Sequence, residues 1–154
     1  MIATNQPTLQ QLFDQDETAW LETMAHLSSE GRHAEMDYAN LSEYLTDMAK
    51  RDRRVVSSRL VLLLMHLLKW DYQTDHRTGS WMATILEQRR ALRELLESGT
   101  LRQHACAILA EAYSDACKQA SAETGLAISN FPHECTWDLE SLLDDDDKIE
   151  DTSR

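Results

Sequence analysis

Apolar side chains recur along most of the chain at the three- and four-residue spacing of an α-helix. Runs of β-branched residues are almost absent, and only four glycines and two prolines interrupt the pattern. The sequence therefore predicts an all-α, single-domain bundle of about five helices. The predicted helices run from about Asp16 to Glu30, from Asp37 or Asn40 towards Met48, from Val55 to Tyr72, from Ser80 to Ser98 and from Leu101 to Glu123, with stops at Gly31, Gly99 and Gly125.

The first two predicted helices each have one apolar face. In the first, Trp20, Met24 and Leu27 share a face and His26 points away from it, which indicates a surface histidine. The second has an Asn40–Glu43 capping box and an apolar face made of Leu41, Tyr44, Leu45 and Met48.

The stretch "KRDRR" at residues 50–54 contains no apolar side chain. On a continuous helical wheel, the apolar faces before and after it differ by about 150°. One straight helix cannot turn both faces towards the same core. We therefore expect a kink or break between Met48 and Val55.

The third predicted helix contains "RLVLLLMHLLKW", residues 59–70. Its leucines fill a broad arc of the helical wheel, whereas Arg59, His66 and Gln73 fall on one narrow stripe. The pattern predicts a helix that is buried on most sides and has one polar seam. This seam is either exposed to solvent or covered by another helix that supplies matched partners.

Arg89, at the edge of the apolar face of the fourth helix, is the charged residue that we expect to be drawn inward. A buried guanidinium group needs a carboxylate or several carbonyls. The carboxylates that we consider for this role are Glu43, Asp47, Glu111 and Glu123.

Small residues line the inner arc of the fifth helix and allow a bulky neighbouring helix to approach. After it, we expect a short segment to fold back as a cover, using Phe131, Trp137, Leu139, Leu142 and Leu143. In this interpretation residues 14–143 form one domain, residues 1–13 a loose leader and residues 144–154 a disordered acidic tail.

Composition narrows the function classes. The net charge is −12, and residues 138–154 carry half of it, so a general binder of nucleic acid is disfavoured. The longest apolar stretch has six residues, Leu60 to Met65, far below the roughly 20 that a membrane-spanning helix needs. The N-terminus lacks the basic start and apolar region of a secretory signal. Three cysteines without metal-type spacing favour the cytoplasm.

Several segments, in the order "LVLLLMHLLKW", "SWMATILEQRR", "AEAYSDA", "ETGL" and "FPHECTWDLESLL", resemble the bacterial domain-of-unknown-function family 29. The resemblance runs from about Asp16 to Leu143. It implies a compact, all-helical single-domain protein and implies no activity. The residues that match the family's motifs are His66, Lys69, Trp70, Trp81, Arg89 and Trp137. All of them except His66, which is a catalytic candidate, are candidate binding residues. Near "ANLSEYL" the chain departs from paired glutamates, with Tyr44 in place of one, so two-carboxylate chemistry is not predicted.

Catalysis has one candidate pair. His66 is able to act as a general base, and an Arg followed by a His, as in Arg59 and His66, resembles the motif of helical ribonucleases of the HEPN superfamily. A polar seam explains both residues equally, and we prefer that structural interpretation. The chain lacks metal-type histidine and cysteine motifs and a glycine-rich phosphate loop, so we predict no metal and no cofactor.

Lys50 to Arg54, together with Arg90 and Arg93, form a possible basic patch for nucleic acid. Solvated helix ends that pair with neighbouring acids explain the same residues. The function class that we favour is a cytoplasmic, non-catalytic interaction or regulatory protein, with a protein partner or a second copy of the chain as its ligand.

Overall fold

A computed structural model of the protein describes residues 6–144. Within that range the regular structure is helical and contains no strand, so the predicted all-α fold is confirmed. None of the helices in this range has both the length and the apolar composition needed to cross a membrane. The helices are α1 (Leu9–Gln15), α2 (Glu17–Ser29), α3 (Tyr38–Tyr72), α4 (Gly79–Leu95), α5 (Gly99–Thr124) and α6 (Leu139–Leu143), with short 3-10 turns at His33–Glu35, Thr74–His76 and Ile128–Asn130.

The chain divides into two compact units, Met1–Lys50 and Arg51–Arg154, and each unit has its own apolar cluster. Helix α3 contributes residues to both clusters. The assignment of residues 14–143 to one domain stays a prediction.

The core of the first unit is built around α2. Trp20, Met24 and Leu27 are buried, as their shared face predicted. Asp16 caps the helix by accepting a hydrogen bond from the backbone of Ala19 at 3.1 Å. His26 is exposed and pairs with Glu30 at 3.3 Å, which confirms its surface position.

Helix α1 begins within the segment 1–13 that was expected to be a loose leader, and that expectation is wrong for residues 9–13. Thr8 and Gln11 form a reciprocal capping box. Phe13 packs edge-on against Trp20, with ring centroids 4.9 Å apart. Seven residues are too few for helical periodicity to stand out, although the Thr-x-x-Gln signal was present. Residues 1–5 lie outside the described range.

Asp37 precedes α3 and caps its first turn. The predicted Asn40–Glu43 capping box is therefore wrong. The Asp37 carboxylate accepts from the backbone N–H of Asn40 at 3.3 Å and from its side-chain amide at 2.7 Å. It also accepts from the indole Nε1 of Trp20 at 3.2 Å. Asp37 thus joins the start of α3 to the core of the first unit.

Helix α3 continues without a break from Tyr38 to Tyr72. Of the kink or break expected between Met48 and Val55, the break is therefore wrong, and the kink stays a prediction. The expectation assumed that both apolar faces serve one core. Instead, Leu41 and Tyr44 pack in the first cluster, whereas the leucine-rich stretch packs in the second. Leu45, placed on the earlier apolar face by the sequence pattern, is 58% exposed.

Gly99 is the first residue of α5 and does not end α4, contrary to the sequence prediction. Ser98 caps α5 by accepting from the backbone of Leu101 at 3.3 Å. Gly31 and Gly125 have positive φ angles of 69° and 75°, as expected for residues that follow helix ends.

The second core surrounds the leucine-rich part of α3. The α3 leucines at positions 60, 63, 64, 67 and 68 are buried. The small residues of α5 that line the same core are Ala105, Ala112, Ala116 and Ala120. Phe131, Leu139, Leu142 and Leu143 are buried against the cluster, and Trp137 is partly buried against it, which confirms the predicted covering segment. Residues 145–154 of the predicted acidic tail lie outside the described range.

Replacement of Asp37 by alanine is expected to lower the free energy of unfolding by about 1–2 kcal/mol, because it removes a helix cap and leaves the Trp20 indole N–H without its acceptor. Burial opposes ionisation of this carboxyl group. Hydrogen bonds from Asn40 and Trp20 nevertheless hold its pKa below the ordinary value of 3.8. The stabilisation is therefore present above pH 3.8 and disappears as the pH falls through the folded-state pKa.

Urea unfolding of the wild type and Asp37→Ala between pH 7 and pH 3 measures this effect. The control is Asp47→Ala, an exposed position on the same helix, which should change stability by less than about 0.5 kcal/mol. Equal losses in both variants would contradict the capping role.

Candidate functional site

Lys69, a predicted binding residue, is buried, with only 8% of its surface exposed. Its ammonium group lies 2.6 Å from Glu123 Oε2 on α5 and 4.4 Å from the ring centroid of Trp81 on α4. The aromatic face and the carboxylate both stabilise the positive charge. Lys69 is therefore covered by protein, with matched partners from two other helices.

His66 is half-buried, and its Nδ1 lies 2.9 Å from the carbonyl oxygen of Leu62. A carbonyl only accepts, so Nδ1 carries the proton and Nε2 is the atom left to accept a proton in the neutral ring. Arg59 donates through Nη1 to Gln88 Oε1 on α4 at 3.0 Å. Arg59 and His66 are thus each engaged by a different group.

Arg89 is buried, with 3% of its surface exposed, as its position on α4 predicted. Its Nε donates to the carbonyl oxygen of Leu142 at 2.9 Å. One turn further along α4, Arg93 donates to the carbonyl oxygen of Leu143 at 2.8 Å. Glu123, one of the carboxylates considered for Arg89, instead accepts from Lys69. These arginines bind the backbone of α6 and hold the covering segment against α4.

The remaining candidate tryptophans are partly buried. Trp70 stacks under Arg77, whose Cζ lies 4.8 Å from the centroid of the indole ring. The Nε of Arg77 also donates to the backbone carbonyl oxygen of Trp70 at 2.8 Å. The backbone carbonyl of Trp137 accepts from the thiol of Cys135 at 3.3 Å. The structure places Lys69 beside Trp81, whereas Trp70 and Trp137 make separate contacts.

The two halves of the predicted basic patch, residues 50–54 on α3 and Arg90 with Arg93 on α4, differ in whether their charges are engaged within the protein. Arg90 pairs with Glu87 at 2.9 Å and with Glu94 at 3.3 Å. The hydrogen bond from Arg90 is the main reason that the pKa of Glu87 lies below its usual range. Arg90 and Arg93 are therefore engaged within the protein. In contrast, Arg51 and Arg54 are exposed and form no ion pair with any residue in the range 6–144.

Arg51, Arg54 and Arg59 line one shallow groove of about 400 Å³ on the second unit. We call it the arginine groove; its other lining residues are Val55, Ser58, Leu62 and Gln88. Successive lining positions on α3 are three or four residues apart, or adjacent, which places them on one stripe of the helix. Buried Gln88 fixes one edge of the Arg59 guanidinium group, which retains further N–H donors for a ligand.

The comparison with known protein families agrees with the resemblance in the sequence. The family described as "Domain of unknown function DUF29" matches residues 12–147. The chain belongs to the DUF29 family. No curated protein and no solved structure matches it. Membership assigns no activity to this DUF29 protein, so its site has to be inferred from geometry.

Among the residues of the DUF29 chain that the structure describes, no group of three or more His, Cys, Asp or Glu side chains is placed to hold a metal ion. The ribonuclease hypothesis stays a prediction, and neither the Arg59–Gln88 nor the His66–Leu62 contact favours it.

Sequence reasoning missed Gln88 and Ser58 as groove residues and Glu123 as the partner of Lys69. Gln88 lies inside the apolar face of α4, and a buried amide among leucines signals a polar partner from another helix. The identity of that partner depends on how α3 and α4 are aligned. Periodicity within each helix carries no information about this alignment.

If Lys69 has an architectural role, removal of its carboxylate partner should destabilise this DUF29 protein. Glu123→Ala is expected to lower the free energy of unfolding by about 1–2 kcal/mol, less than for a fully buried pair, because the Glu123 side chain is 49% exposed. The same change in a Lys69→Met background should cost little, because no buried charge is then left unpaired.

Urea unfolding of both single variants and the double variant gives the coupling energy. Glu111→Ala, at an exposed position of the same helix, is the matched control. A coupling energy of zero would show that the pair contributes nothing to stability.

Proposed function

We propose that this DUF29 protein is a non-catalytic, cytoplasmic interaction protein that binds an acidic segment of a partner protein through the arginine groove. One observation carries the proposal. Three guanidinium groups line one concave surface, and none of them forms an ion pair with a carboxylate within residues 6–144, although the charge of Arg59 contributes to lowering the pKa of Glu87. The whole chain has a net charge of −12, which makes this cationic surface exceptional.

The chemistry of the groove favours carboxylates. Guanidinium groups bind carboxylates through paired, charge-assisted hydrogen bonds. Arg54 and Arg59 are separated by about 7.5 Å along the helix axis. In an extended peptide, side chains on one face are about 6.6–6.8 Å apart. Acidic residues at alternate positions of an extended segment therefore have a spacing along the chain similar to the rise between these two arginines.

The groove also offers apolar contact, since Val55 and Leu62 line it together with the arginines. Nucleic acid would present phosphates to the same groups, but the net negative charge of the remaining surface opposes a long polyanion. A short acidic segment is able to bind in the groove without extending over the negatively charged remainder of the protein surface.

The cytoplasmic assignment rests on the cysteines. Cys106, Cys117 and Cys135 are all free thiols, and proteins with unpaired thiols are typical of reducing compartments.

A peptide of alternating glutamate and threonine, labelled with an uncharged fluorophore, is expected to bind the full chain at low salt, as measured by fluorescence anisotropy. Each of Arg51→Gln, Arg54→Gln and Arg59→Gln should weaken binding by about two- to fivefold, as for exposed ion pairs. The triple variant should lose more than about tenfold. Because solvent reaches the groove, binding should also weaken as salt is raised.

Arg53→Gln is the matched control, since it removes the same charge from the same helix at a position that does not line the groove. It should leave the affinity within about twofold of wild type. Far-ultraviolet circular dichroism confirms that each variant is folded. Equal weakening by Arg53→Gln and Arg54→Gln would contradict a specific groove.

Two competitor measurements separate other occupants. Tighter binding of a single-stranded oligonucleotide than of the acidic peptide would overturn the proposal in favour of nucleic acid. A dimer in light scattering that dissociates in the triple variant would identify a second copy of this acidic chain as the partner.

A further inference from the structure

A second concave surface lies between α5 and the segment 128–137 that follows it. It has a volume of about 800 Å³, within the range of about 300–1,000 Å³ that is typical of small-molecule sites. We call it the α5 pocket. It shares no lining residue with the arginine groove.

The wall formed by residues 128–137 is fixed to α5 by specific contacts. Tyr113, buried on α5 with 4% of its surface exposed, donates its hydroxyl to the carbonyl oxygen of Pro132 at 2.7 Å. Phe131 is buried at 5% exposure and packs edge-on against Tyr72, with centroids 5.3 Å apart. The pocket is therefore bounded by an anchored segment and a long helix, which makes it a preformed cavity.

Apolar side chains supply most of the pocket surface. Leu109 and Ala110 come from α5, and Ile128, Phe131 and Trp137 come from the covering segment. Ile128 is 51% exposed although it is large and apolar. Two aromatic rings among these residues offer flat surfaces for an aromatic ligand.

The thiol and phenol groups that line the pocket and are buried or partly buried are uncharged at neutral pH. Burial raises the pKa of the Cys117 thiol, which is 5% exposed, and of the Cys135 thiol. Burial also raises the pKa of the Tyr113 hydroxyl, as does its hydrogen bond with Cys117. A neutral thiol behaves as a small, polarisable apolar group. Lys118 and Glu134, the Lys and Glu side chains that line the pocket, are exposed to solvent.

We propose that the α5 pocket is a binding site for an uncharged, mainly apolar small molecule that carries an aromatic ring. The volume, the aromatic and aliphatic walls and the neutral interior all favour such a ligand. A charged ligand would lose its hydration among the apolar walls, where the available counter-charges, Lys118 and Glu134, are exposed to solvent and therefore screened. This proposal does not depend on the arginine groove.

N-phenyl-1-naphthylamine, an uncharged aromatic compound whose emission rises in apolar surroundings, is a direct probe. Titration into the full chain should give a saturable rise in emission with a Kd of about 1–100 µM, the range expected for a ligand of this size. Ala110→Trp, which fills the pocket from an exposed position on α5, should weaken binding at least about tenfold. Ile128→Asp, which places a charge on the wall, should weaken it similarly.

Ala83→Trp on α4 is the matched control, since Ala83 is exposed and does not line the pocket. It should bind the probe like the wild type, and circular dichroism should show the wild-type helix content in all three variants. Bound probe should also slow alkylation of Cys117, followed by mass spectrometry. Non-saturable emission in the wild type, or equal affinity of the wild type and Ala110→Trp, would overturn the proposal.

The two sites are tested separately. The Arg51, Arg54 and Arg59 triple variant should bind the probe like the wild type, and Ala110→Trp should bind the acidic peptide like the wild type.

Discussion

Burial of the leucine-rich face of α3 is the constraint on which the second unit depends. Each fully buried leucine contributes about 1.5–3 kcal/mol, and five of them on this helix are buried. The same helix carries His66 among these leucines, and Arg59 and Lys69 at the two ends of the leucine-rich stretch. Their polar groups have to find partners wherever the surrounding helices cover them, since an unpaired buried charge would offset much of the apolar gain.

Two kinds of cation in the second unit follow from this requirement: those that the protein covers, and exposed ones that have no carboxylate ion pair among residues 6–144. Those covered by protein are held by a fixed partner, as Lys69 is by Glu123 and Arg89 by the Leu142 carbonyl. Arg51 and Arg54 are exposed, so water satisfies them and folding imposes no carboxylate beside them. Residues of the second kind are available to a ligand, and this distinction leads from stability to the proposed binding surface.

Local signals predicted the parts of the fold that local physics determines. Periodicity located the buried face of α2 and the leucines of α3, and Gly125 marked the end of α5 because a left-handed residue is needed there. The errors came where a local signal had two interpretations. Gly99 was able to end one helix or begin the next, and the 150° shift between the α3 faces indicated a break only under the assumption of a single core.

The sequence by itself determined the all-helical fold, the buried stripe of α3, the inward position of Arg89 and the covering role of residues 131–143. Only the tertiary structure decided which partner each polar side chain meets, such as Glu123 for Lys69 and Gln88 for Arg59. It alone also brought α5 and the segment 128–137 together around a pocket. The physical reason is that spacing along a helix fixes the direction of a side chain, whereas its neighbours depend on the rotation and alignment of one helix against another, which packing of the whole unit sets.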